Sequence, residues 1–283
     1  MIALAENRYG KSRVRVMKVS RDGARHDVQE WNVEVWLKGD FEDCFVDGDN
    51  SRILPTDTMK NTVYYLARRS GSATPEQFAI EIVTYLIENN PQITAAGTNI
   101  DAVHWTHIVA GGQKHDTAFI QMGPASDTAA VICSRGQPVA VAAGFRNLPI
   151  LKTANSAFSG YIRDKLTTLK ETQDRLLGTL ASGEWRYTDA NVDHKTSRAR
   201  ILDALLNAFA VHDSKSVQQT LYAMGRAALL EAEHSVSEIR LSMPNKHCNL
   251  VDLTPFGMDN PNQIFVPTDE PHGSIEASLR RTD

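Results

Sequence analysis

Cysteine is scarce in this 283-residue chain: there are three, Cys44, Cys133 and Cys248, far apart and without a CxxC pair. That spacing excludes a disulfide framework and a zinc knuckle, and it points to a reducing setting. Long apolar runs are missing too; no stretch approaches the roughly 18 residues of a membrane helix. The opening Met-Ile-Ala-Leu-Ala-Glu-Asn-Arg is too short for a secretory signal, and the closing Arg-Arg-Thr-Asp is not a peroxisomal tripeptide. The expectation is a cytoplasmic protein without a membrane partner. Charge of one sign is not in excess: 30 basic residues face 34 acidic ones, for a net charge of −4, which argues against nucleic-acid binding. Motifs for phosphate, dinucleotide and acyl-enzyme chemistry are absent. Gly10-Lys11-Ser12 imitates a phosphate loop, but Ala5 stands where that motif needs glycine. His104 and His107, three apart on a strand, point to opposite faces and share no metal. The adjacent letters His212-Asp213-Ser214 do not make a triad, because triads are assembled across a fold.

What is present is an ordinary globular composition, 42% hydrophobic and 23% charged. Val14 and Val16, then Val19 after a slip, alternate on one segment, and Trp31, Val33, Val35 and Leu37 on the next. This predicts an antiparallel hairpin with Arg21-Asp22-Gly23 in its connection. Thr56-Asp57 opens a capped helix with Met59, Val63 and Leu66 on one stripe. Thr74-Pro75-Glu76-Gln77 opens a second in capping-box order, with Phe78, Ile82, Tyr85 and Leu86 inward. Segments 92–110, 115–123 and 128–134 return to strand composition. The second half repeats the order: strands at 137–145 and 180–188, a helix from Ser197 to His212, a helix capped by Ser216 and strands at 236–243 and 246–253. The expected class is therefore α+β, with two related units, 1–135 and 136–283, of antiparallel sheet carrying helices on one face. Open sheets leave edges that invite pairing, so a homo-oligomer is expected. Alternating Arg8, Lys11, Arg13 and Arg15 are either a solvated face or a strand that meets an anion.

Six motifs then stand in order: Arg8-Tyr9-Gly10-Lys11, Thr56-Asp57-Thr58-Met59-Lys60-Asn61-Thr62, Leu151-Lys152-Thr153-Ala154-Asn155-Ser156-Ala157-Phe158, Thr168-Leu169-Lys170-Glu171-Thr172-Gln173-Asp174-Arg175, Ser216-Val217-Gln218 and Pro244-Asn245-Lys246-His247. On these the chain resembles the urate oxidases (uricases) from about residue 8 to residue 276. The resemblance implies two tandem tunnelling-fold (T-fold) units assembling into a barrel-like homotetramer. It also implies cofactor-free and metal-free oxidation of urate by O₂ and water to 5-hydroxyisourate and H₂O₂, in urate catabolism.

The implied site can be weighed residue by residue. Arg175 and Gln218 form a clamp, since a planar guanidinium and an amide match the oxygen- and nitrogen-edged rim of an anionic purine. Phe158 stacks on the ring. Val217 and Gln218 offer first-turn N–H groups, backed by the helix dipole, to an anionic oxygen, and Thr56 and Asp57 occupy a similar helix start. Lys11, Thr56 and His247 form the proton relay, and Asn245 faces the space that O₂ and water use. Lys11 and Thr56 belong to the first half and the rest to the second, so the family resemblance implies sites at subunit interfaces. A non-catalytic purine-binding barrel would keep the clamp without needing the Lys11–Thr56 pair. A metal-dependent enzyme of the wider fold would need ligands that the three cysteines do not supply.

Overall fold

A computed structural model describes residues 2–21 and 23–282; Asp22, within the expected hairpin connection, lies outside them. The chain forms two compact units. One comprises Met1–Phe145 with Glu184–Arg198, the other Arg146–Gly183 with Ala199–Asp283.

In the first unit, β1 (Tyr9–Ser20) pairs antiparallel with β2 (Asp27–Gly39). β2 pairs with β3 (Ile93–Ala110), and β3 with β4 (Gln113–Ser134). The inward residues of β2 are those its alternation indicates: Trp31 is 3% exposed, and Val33, Val35 and Leu37 are fully buried. They are covered by α2 (Thr56–Arg69), through Met59 and Val63, and by α3 (Pro75–Asn89), through Phe78, Ile82 and Leu86. Trp31 and Phe78 stack with centroids 4.6 Å apart. Burying side chains of this size contributes about 1.5–3 kcal/mol each, which is what holds the helices on one face. A short α1 (Glu42–Val46) lies between the hairpin and α2.

Several details depart from the sequence expectation. Segments 115–123 and 128–134 belong to one strand, β4, because Gly123 at φ 53° and Pro124 sit at a register shift and not at a turn. Thr56 and Asp57 open α2 as expected, but neither side chain caps it. Its N-cap is Pro55, with no side-chain capping bond. Asp57 instead accepts from Lys60 and Asn61. By contacts along the chain the compact units divide at Phe145/Arg146, and Glu184–Arg198 joins the first unit. The anchor of that return is Arg198, whose guanidinium reaches Glu76 Oε1 (2.5 Å), Gly144 O (2.5 Å) and Thr128 O (2.9 Å).

β5 (Ala140–Lys152), β6 (Leu177–Tyr187) and α4 (His194–Val211) each contribute residues to both units. α4 starts three residues earlier than Ser197 because Asp193 accepts from Thr196 N at 3.1 Å and serves its first turn. In the second unit, β7 (Val236–Ser242) pairs with β10 (Glu276–Arg280). β8 (Asn245–Leu250) pairs with β9 (Phe265–Gly273) and, through Asn245 and Lys246, with Thr179 and Gly178 of β6. α5 (Val217–Glu231) lies over β7 and β10, burying Leu221, Met224 and Ala228 with Ile239 and Leu241. Gly225 admits Leu279, since a Cβ there would lie 2.8 Å from Leu279 Cδ1. The tail beyond Ile275 is thus a strand held by α5, which no sequence periodicity announced. No helix among the described residues is long and apolar enough to cross a membrane.

Candidate functional site

The basic residues of β1 do not simply alternate. Lys11 lies opposite Val35 and Val14 opposite Val33, so three steps on β1 match two on β2. Arg13, at φ 58°, absorbs the extra residue. Side chains of directly opposed residues share a face. Tyr9, Lys11, Val14 and Val16, opposite Leu37, Val35, Val33 and Trp31, therefore all face the helix-covered side. Strict alternation would have put Lys11 and Val14 on opposite sides. The bulge thus turns an ammonium inward, toward α2, while Arg15 remains outward on the exposed face.

The start of α2 is brought to β1 by Tyr9. Its hydroxyl accepts from Leu54 N at 2.8 Å and donates to Leu54 O at 3.0 Å. Thr56, half-buried, follows two residues later. Asp57, on the surface, is held below the usual carboxylate range, first by its bond from Lys60 and then by that ion's charge, with a further contribution from the charge of Lys11. Lys11, Thr56 and Asp57 therefore gather at one end of the first unit.

The second unit assembles another group. Residues 155–158 are sewn to two segments distant in sequence. Phe158 exchanges backbone bonds with Thr172 at 2.8 and 3.1 Å, and Ala157 N donates to Ser214 O at 2.7 Å. Ser156 N donates to Asp174 Oδ1 at 3.2 Å, and Thr172 Oγ1 to Asp174 O at 2.9 Å. Ser214, fully buried, accepts from Thr220 Oγ1 at 2.7 Å, so the residues before α5 are fixed to its second turn. This knot carries Phe158, Arg175 and the N-terminus of α5. The Arg175 guanidinium carbon sits 5.2 Å from the centre of the Phe158 ring. Its Nε is buried without a hydrogen-bond partner, and burial pushes its pKa down. A charged, partly desolvated donor of this kind favours an anion that completes its bonding.

α5 opens with Ser216, whose side chain accepts from Gln219 N at 3.1 Å, while Gln219 Oε1 accepts from Lys215 N at 2.9 Å. The cap engages the third residue, so the N–H groups of Val217 and Gln218 stand in the first turn with the helix dipole behind them. Asn245 and His247 lie on β8. The register shift between them falls on β9, where Gly273 and Thr268 are their partners. β8 keeps its alternation, so the two side chains project on one side. Asn245 is half-buried and His247 exposed. Cys248 projects on the other side.

The structure thus places Lys11, Thr56 and Asp57 together in the first unit. In the second it places Phe158, Arg175, Val217 and Gln218 around one knot, with Asn245 opposite Thr179 at the start of β6, four residues after Arg175. Sequence reasoning gave no role to the residues that fix these groups: Tyr9, Asp174, Ser214 and Thr172. It also missed Tyr161, which stacks on Phe158 at 5.0 Å and 16°. The signal for Tyr9 and Thr172 lay in their spacing from Lys11 and Arg175; for Ser214 there was none, because its bonds are non-local.

Compared with known proteins, residues 7–132 and 141–276 match the family model described as Uricase. The two stretches flank the turn at Ser134-Arg135-Gly136. The uricase of Arthrobacter globiformis is 43% identical over 280 residues, spanning 99% of this chain and 90% of that protein. The uricase of Danio rerio is 33% identical over 278 residues, spanning 96% and 93%. The crystal structure of the Arthrobacter globiformis uricase superposes with a TM-score of 0.94 at 42% identity, covering 99% of this chain and 96% of that one.

Proposed function

The chain belongs to the uricase family and oxidises urate; we propose that it does so with O₂ and water, yielding 5-hydroxyisourate and H₂O₂, on a proton relay of Lys11, Thr56 and His247. The atoms balance: urate gives up two electrons to O₂, water supplies the hydroxyl oxygen, and protons move to peroxide. The observation that carries the reading is the Phe158–Arg175–α5 knot, with a partly desolvated guanidinium whose Nε lacks a partner. Arg175 and Gln218 grip the rim of the purine, Phe158 stacks against its face, and the N–H groups of Val217 and Gln218 receive an anionic oxygen.

Lys11 takes the proton through the Thr56 hydroxyl, which capping does not consume, and His247 passes it on, while Asn245 orients O₂ and then water by its amide. The electron-rich anion is its own reductant, so the reading requires no cofactor and no metal. In this reading the protein is a cytoplasmic homotetramer. The Lys11–Thr56–Asp57 group of one subunit and the Phe158–Arg175–Gln218–Asn245–His247 group of another form each site. Lys11→Met tests the relay. Turnover, followed by urate absorbance and O₂ uptake, falls roughly 10²-fold or more while urate affinity changes far less. Retention of both parameters would remove Lys11 from the chemistry.

A further inference from the structure

The start of α2 has no side-chain cap. Pro55 occupies the N-cap position, and its ring nitrogen has no proton to give. What fixes this turn is a bond from outside the helix. The Tyr9 hydroxyl holds both backbone polar groups of Leu54, accepting from its N–H at 2.8 Å and donating to its carbonyl at 3.0 Å. The ring is itself immobilised, edge-on against Phe41 with centroids 4.9 Å apart, and Phe41 is 1% exposed. Tyr9 lies two residues before Lys11 on the same face of β1, opposite Leu37 as Lys11 is opposite Val35. Leu54 lies two residues before Thr56. One hydroxyl therefore spans the gap between the strand that carries the ammonium and the helix start that carries the relay hydroxyl. Burial pushes the Tyr9 phenol up, so the hydroxyl stays protonated and donates its hydrogen bond to the Leu54 carbonyl.

We propose that Tyr9 is a positioning residue for the oxidation of urate: its two bonds to Leu54 set the separation of Lys11 and Thr56. The inference rests on the relay proposed above. Proton transfer through a hydroxyl tolerates little misplacement, and an error of about 1 Å costs roughly 10²-fold in rate. The bulge at Arg13 adds to the requirement. It turns Lys11 inward and leaves Ser12 and Arg13, the next two residues, without ladder partners, so the tether at Tyr9 adds order on the other side of Lys11.

The test is Tyr9→Phe, which keeps the ring on Phe41 and deletes only the hydroxyl, assayed beside Lys11→Met in the assembled full-length enzyme. Steady-state constants are normalised to folded protein by circular dichroism and gel filtration. The expected result is a fall in kcat of roughly 10- to 100-fold with KM for urate changed less than about threefold. An unchanged kcat in Tyr9→Phe, beside an inactive Lys11→Met, overturns the inference and leaves the relay standing. A raised KM at constant kcat overturns it as well, since the tether would then serve binding. A lowered melting temperature with wild-type turnover per folded molecule shows a purely structural role. If Lys11→Met turns over normally, the relay fails first and the inference fails with it.

Discussion

Removing the Arg175 guanidinium separates binding from chemistry more cleanly than any other change in the second unit. The group has already lost part of its hydration, as its lowered pKa records, and its buried Nε has no partner to exchange. Part of the usual cost of stripping water from a cation before pairing it is therefore met in the free protein. One charge-assisted hydrogen bond contributes about 1.5–3 kcal/mol, and truncating one member of a desolvated charge pair costs about 2–5 kcal/mol. Arg175→Ala accordingly weakens urate binding by roughly 30-fold to several thousand-fold. The contact with Phe158 at 5.2 Å adds about 0.5–1 kcal/mol to local order, a small effect on stability beside the effect on binding. The assay is calorimetric titration with urate under anaerobic conditions, so that no turnover intervenes. Arg175→Lys, which keeps the charge but loses the planar fork, falls between the two. Affinity within threefold of wild type in Arg175→Ala would exclude this guanidinium from the site.

Two further predictions concern the buried network of the first unit. Glu76 is fully buried against Arg198, so Arg198→Met strands a carboxylate and costs about 3–5 kcal/mol; denaturant unfolding checks it, and adding Glu76→Gln should recover a large part of the loss. His194, 2% exposed and set edge-on to Tyr187, has its pKa lowered first by burial, with Arg198 acting in the same direction and Glu76 opposing. A depressed folded value means that its contribution is complete above the ordinary imidazole value of 6.5 and is lost as pH falls through the folded one. His104, raised chiefly by its bond to Asp127, works in the opposite sense and stabilises on acidification. His194→Phe should therefore flatten or reverse the decline of melting temperature between about pH 7 and 5; a decline as steep as in wild type would show that His194 does not govern it.

The α+β class and the duplicated order of elements were legible because the core residues obey local periods. Val33, Val35 and Leu37 alternate, Phe78, Ile82 and Leu86 follow a helical stripe, and Thr74 and Ser216 cap as their spacing indicates. The order of the six motifs was legible in the same way, since it depends only on letters. Features that arise from non-local bonds were hidden. The continuity of β4 through Pro124 depends on β3 beside it, the return of Glu184–Arg198 on three acceptors scattered from residue 76 to 144, and β10 on the gap left by Gly225.

The same distinction separates the parts of the site. Phe158 and Arg175 can be nominated from their motifs, but nothing in those letters says that a cation will lie over that ring. The contact exists because Thr172 and Asp174 sew the two motifs together through backbone groups that any residue possesses. Lys11 is the sharper case. Counting by twos from Val14 assigns it to the outer face with the solvated arginines. Only the three-against-two register, made at the cost of a left-handed Arg13, brings it inward. A non-glycine residue in that region is strained, and the strain persists where surrounding contacts over-determine it. Here those contacts are the Val14–Val33 and Lys11–Val35 pairs on either side and the Tyr9 tether beyond. The bulge follows from what the two ends of β1 must do at once: Val14 and Val16 have to reach the core, and so does an ammonium three positions away, which a strand of period two permits only by inserting one residue.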